Sequence, residues 1–161
     1  MNIALMWPAG LTLLLGYGAL TDIRQRRLAN WLALLLFAFG LSYAFSIGGL
    51  TALGWHAAHG LVALLVGMAL FSIGAFGGGD AKFYAGAAAY FALDDGLNLL
   101  LWVSIMGIVT ILGWLVIKRL PQFSGSRREG IFAKFPYGVA IAAGGIAAAW
   151  MPHFASAPTP G

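Results

Sequence analysis

The sequence predicts an all-α protein, a polytopic membrane helix bundle of about six transmembrane helices, and three observations lead there. Hydrophobic residues make up 61% of the 161 and charged residues only 9%, with a mean hydropathy of +0.88, far from the averages of soluble domains. The apolar residues are gathered in runs that reach, or with modest extension approach, the length of a bilayer crossing. All nine Lys and Arg fall in alternate connections between those runs, the distribution that the positive-inside rule gives a chain crossing back and forth. Residues 1–152 therefore read as one transmembrane domain, and 153–161, which includes "ASAPTPG", as a disordered tail. With no cysteine, disulfides, thiolate catalysis and Cys-ligated zinc modules are excluded. The formal charge of +4 reports orientation in such a chain and does not call for a nucleic-acid partner.

The runs are Ile3–Leu20, Trp31–Ile47, Gly54–Phe76, Phe83–Leu93, Leu97–Ile117 and Tyr137–Met151. The first has no basic residue before it and Arg24, Arg26 and Arg27 after it, which retains it as a membrane helix and not a cleaved signal. The second and third are joined by "SIGGLTALGW", which carries no charge. The fourth is the anomaly, since its few residues make a helix of only about 16 Å against a hydrocarbon core of roughly 30 Å. Extending it back to Asp80 and forward to Gly96 gives a thin or tilted crossing and draws Asp80 to the bilayer edge. The alternative has Asp94 and Asp95 dipping in from the other side. The first arrangement is favoured because Gly77, Gly78 and Gly79 permit irregular backbone closely packed between helices. The fifth and sixth runs flank the long segment Lys118–Phe135, which holds five of the nine basic residues.

Arg24, Arg26, Arg27, Lys82 and that five-residue set put the first, third and fifth connections in the cytoplasm and both termini outside it. Asp22 and Asp80 then share the cytoplasmic edge. Only five acidic residues occur in the chain, and carboxylates at membrane depth are candidate functional groups. Two carboxyls on different helices that share a proton can cut a peptide bond: one, ionised, activates a water, and the other, protonated, polarises the carbonyl. Glycines beside Asp80 would let an extended peptide backbone come close.

Plainer readings exist for each residue. "GGGD" also describes a helix break followed by an Asp N-cap, Asp22 is placed to pair with Arg26 at i, i+4, Asn30 suits a helix cap, and Lys82 suits a headgroup anchor. His56 and His59, three apart, lie in a connection with no carboxylate nearby in sequence, so no metal site is expected. Asp94, Asp95 and Gly96 read as a capped turn. The small residues of "AGAAA" and "AIAAGGIAAA" read as close helix packing, and Arg127, Arg128 and Glu129 as a loop meeting anionic lipid.

"FGGGDAK" contains the Gly-x-Gly-Asp motif of membrane aspartic proteases as Gly77, Gly79 and Asp80, and "LTDIRQRRLANW" resembles the Asp-x-Arg-x-x-x-Ile-Pro-Asn stretch of the prepilin peptidases, or type IV leader peptidases. "FPYGVAIAAGG", Phe135 to Gly145, is similar to that family's last-helix motif. Leu28 and Ala29 stand where the family has Ile-Pro. The short, cysteine-free form resembles the branch serving tight-adherence (Flp-type) pili. The resemblance implies Asp22 and Asp80 as the catalytic pair. Gly77, Gly78, Gly79, Lys82, Asn30, Pro136, Tyr137 and Gly138 are then substrate-binding or supporting residues. It further implies an inner-membrane endopeptidase that removes leaders from prepilins or pseudopilins at the cytoplasmic face, needs no cofactor and, lacking the family's extra cytoplasmic domain, does not methylate the new N-terminus. The alternatives are a GxGD protease of preflagellin-like substrates, or a small channel or transporter using the acidic pair for protons or cations. The few polar residues within the spans disfavour transport.

Overall fold

The structure, a computed structural model, describes residues 3–118 and 137–155, and among them there are helices and no strands. In chain order these are α1 (Ile3–Gln25), α2 (Asn30–Ser72), α3 (Gly78–Ala88), a short 3-10 turn (Leu93–Asp95), α4 (Gly96–Lys118) and α5 (Tyr137–Ala155). Two stretches are long and apolar enough to cross a membrane, Asn30–Ser72 and Leu93–Ile117.

α2 is two helices in continuous hydrogen-bonded succession, broken at Gly48 (φ −153°, ψ 19°) and Gly49 (φ 60°, ψ −144°). Gly49 sits in a region that residues with a Cβ avoid, so two glycines reverse the chain with no loop. The limbs 30–47 and 50–72 fold back on one another: Tyr43 meets His56 edge to face at 6.0 Å, and Gly60 lies against Phe37. The predicted start of the third run at Gly54 is therefore late, because the turn is shorter than the uncharged stretch suggests. Its predicted end at Phe76 is also corrected. The helix stops at Ser72 with a Schellman arrangement, in which Gly74 (φ 75°) donates to Phe71 O at 3.0 Å and Ala75 to Leu70 O at 2.9 Å.

Contacts between partners far apart in sequence fix the remaining directions. Trp7 packs on Phe39 and Tyr43 at 5.3 and 5.5 Å, which makes α1 antiparallel to the first limb. The Trp150 indole N–H donates to Thr12 Oγ1 at 2.9 Å while Gly145 faces Leu15, so α5 is antiparallel to α1. Gly144 abuts Val103 and Gly107 faces Ala140, so α4 is antiparallel to α5. One end of the bundle thus gathers the α1–α2 connection, residues 73–80 and the start of α5; the Gly48–Gly49 turn and Leu93–Asp95 lie at the other.

α3 is the centre of the molecule. It runs alongside both limbs of α2, and small residues set the spacing: a Cβ on Gly40 would lie 2.5 Å from the Ala89 carbonyl carbon, and one on Gly86 2.5 Å from the Ala33 oxygen. Phe83 is fully buried with Leu11, Leu15, Leu32, Leu36, Leu99 and Ile141. Backbones approaching this closely gain dispersion contacts, which matter most where lipid removes the hydrophobic drive between helices.

The fourth run was expected to extend in both directions, and only one extension occurs. α3 reaches back past Asp80 to Gly78 but ends at Ala88, well short of Gly96. The reason lies in two buried histidines. His56 Nδ1 is 3.1 Å from Ala89 O and His59 Nδ1 3.1 Å from Phe91 O. A carbonyl only accepts, so both rings donate from Nδ1 and satisfy backbone oxygens freed by the helix end. A helix too short to cross can stop at depth because the neighbouring limb caps it.

Candidate active site

Asp22 lies in the last turn of α1 and Asp80 in the first turn of α3, each beyond the apolar run of its helix. An open cavity of about 730 Å³ at this end is lined by both, together with Arg26, Asn30, Phe76 and Tyr137 among others. Two carboxylates 58 positions apart therefore reach one cavity from two helices.

Their surroundings differ. Asp22 is 7% exposed, and its Oδ2 accepts a 2.9 Å hydrogen bond from the Gly138 backbone N–H. Burial pushes its carboxyl above the ordinary value, and the Gly138 N–H and the Arg26 cation pull back toward ionisation. Asp80 accepts no hydrogen bond among the described residues. Burial, and then the charge of Asp22, push its carboxyl up to about 6.

A glycine lies against each carboxylate of the pair. A Cβ on Gly138 would sit 2.8 Å from Asp22 Oδ2, and one on Gly77 would overlap Asp80 Oδ2. Gly79 is looser, its nearest neighbour being Leu28 Cβ at 3.6 Å, and Gly78 faces Phe71. Tyr137 lines the cavity and stacks edge to face on Phe76 at 5.8 Å. Pro136 lies outside the described residues, as does most of the Lys118–Phe135 segment.

The plainer readings of these residues change. Asp80 is not the N-cap of α3; Gly77 holds that position and no side chain caps it. Asn30 is not the cap of α2, which is Ala29; its Oδ1 instead accepts from Lys82 Nζ at 3.1 Å. Asn30 lines the acid cavity and Lys82 a smaller apolar groove next to it, so the two residues join across the entrance to α2 and α3. No side-chain hydrogen bond links Asp22 to Arg26 among the described residues, although the cation still attracts the carboxylate. The turn at Asp94 and Asp95 is present as a 3-10 turn without a side-chain cap.

Sequence reasoning missed Gly74, Ala75, Phe76 and Arg26 as cavity walls. Gly74 was the available signal for the turn, a glycine near the end of an apolar run, as in any helix C-terminus. Among the described residues no group of three His, Asp or Glu could hold a metal ion.

Two carboxyls lining one open cavity, one of them holding its proton up to about pH 6, offer a proton acceptor and a proton donor in one place. No curated protein and no solved structure matches the chain. The family model described as the type IV leader peptidase family matches residues 9–112, a stretch that holds both aspartates, Asn30 and the three glycines. α5, with Gly138, lies beyond that match. The chain is a membrane peptidase with substrates of the pilin type, and it belongs to the type IV leader peptidase family.

Proposed function

We propose that this protein is an aspartic endopeptidase of the bacterial inner membrane that removes the leaders of type IV or Flp-type prepilins at the cytoplasmic face, without N-methylation. The chain crosses the membrane six times with both termini outside. The observation that carries this reading is the convergence of Asp22 and Asp80 on one cavity at the end of the bundle where Arg24, Arg26, Arg27 and Lys82 cluster.

The unequal surroundings of the pair support one division of roles. Asp22, held by the Gly138 N–H, is ionised and takes a proton from the attacking water. Asp80, half-buried with no donor among the described residues and close to that negative charge, holds the proton and donates its hydrogen bond to the scissile carbonyl. After attack the oxygen of the water is bonded to the carbonyl carbon. Its proton rests on Asp22 and moves to the leaving amine as the C–N bond breaks.

The test is cleavage of one prepilin by purified protein in detergent. Asp22→Asn and Asp80→Asn keep size but remove the shared proton, so each should abolish processing. Because the pair acts as a unit, the double variant should be no worse than either single one. Substantial cleavage by either single variant would refute the aspartic mechanism.

A further inference from the structure

Arg26 carries several costs at one position. Its φ is 54°, a left-handed conformation that disfavours a residue with a Cβ by about 1–2 kcal/mol. Its Nε and Nη1 are buried without a hydrogen-bond partner among the described residues, although unmet donors on a charged group are among the most expensive to bury. Its backbone N–H donates to Asp22 O at 3.0 Å, a bond available to any residue except proline, and its charge attracts the Asp22 carboxylate without a side-chain hydrogen bond among the described residues. The side chain instead lines the cavity of Asp22 and Asp80. Arg27 lines the same cavity, but it is exposed and has no such unmet buried donors. Strain kept at a cavity wall is an outlier from which function can be argued.

Neither carboxylate consumes the buried donors. Asp22 takes its hydrogen bond from Gly138, and none reaches Asp80 among the described residues. Among the described residues no acceptor is paired with these donors, and every extended peptide brings a row of acceptors in its backbone. A cationic donor fixed in a partly desolvated site is worth most to an oxygen that gains negative charge during reaction.

We propose that Arg26 is a substrate-binding residue whose guanidinium donates to a main-chain carbonyl of the extended peptide beside the bond to be cut. This rests on the peptidase reading above. The residue lies between the Asp and the Asn of the first motif and is distinct from Arg24, the Arg that the motif specifies.

The test compares wild type with R26G, R26Q and R26K on one prepilin in detergent, measuring kcat, KM, pH profile and thermal unfolding. R26G and R26Q should lose about 10- to 100-fold in kcat/KM, the range for one hydrogen bond to a charged group. R26G should nevertheless unfold at the same or a higher temperature, since glycine adopts φ 54° freely and leaves no buried donor. Loss of the cation should also move the acid limb of the pH profile upward, and R26K should return that limb toward wild type. A residue that only held the fold would lose activity and thermal stability together. That outcome, or R26G with wild-type kcat/KM, would overturn the proposal while leaving the peptidase reading intact. A wild type that cleaves no prepilin would overturn the peptidase reading itself, and this proposal with it.

Discussion

Asp80 and Asp22 differ in what surrounds them more than in what they are. With Asp80 pushed up to about 6, the free enzyme holds its proton below that pH and loses it above. kcat/KM should therefore fall as pH rises through about 6, and fall again in acid as Asp22 takes up a proton. A profile flat from pH 5 to 8 would contradict the assignment. The same shift makes a statement about stability. A carboxyl raised from 3.8 binds its proton more tightly in the folded chain, so the fold is favoured below that value and penalised as pH climbs from 3.8 through about 6. At this scale the sequence was informative about identity and silent about partners. The two aspartates stood out because carboxylates are scarce in so apolar a chain. The Gly138 N–H on Asp22 spans 116 positions, and no local spacing encodes it; "FPYG" was noticed only through family resemblance. The strain at Arg26 left no trace either, since Arg is an ordinary residue in a basic connection.

Among the helices, hydropathy was most informative where packing was least demanding. α4 has no buried residue in its most apolar window, with Leu99 buried near its start, and its limits agree with the predicted run to within a residue. α3 was hardest to read because its stability comes from contacts with backbone and not from its own apolar length. The capping of its end by His56 and His59 was equally hidden, since the two histidines had no visible partner within their own segment. His56→Phe removes the donor to Ala89 O while keeping a ring of comparable bulk. Leaving that buried carbonyl unmet should cost about 1–3 kcal/mol, seen as a lower unfolding temperature in detergent. An unchanged temperature would show that the helix end is supported by something else.

For the molecule as a whole, charge and fold agree on which end matters. The Arg cluster after α1 and Lys82 lie at the end that holds the acid cavity, and the antiparallel succession of helices puts the Gly48–Gly49 turn at the opposite end. A reporter inserted at Gly49 should behave as external and one at Arg27 as cytoplasmic. The reverse at both positions would put the cavity on the wrong side for leader removal. A count of six crossings came from hydropathy runs, whereas two stretches among the described residues are long and apolar enough to cross a membrane; the short α3 packs against both limbs of α2, and the chain just beyond its end is met by His56 and His59.

The hydrogen bond from Gly138 to Asp22 also has a consequence in time. Asp22 is synthesised early and Gly138 late, with α2, α3 and α4 made in between. Until α5 docks against α1, Asp22 lacks its amide donor and the cavity lacks Tyr137. On the mechanism proposed above, the surroundings of the pair are complete only when the bundle closes, and proteolytic activity is then expected only from the completed chain.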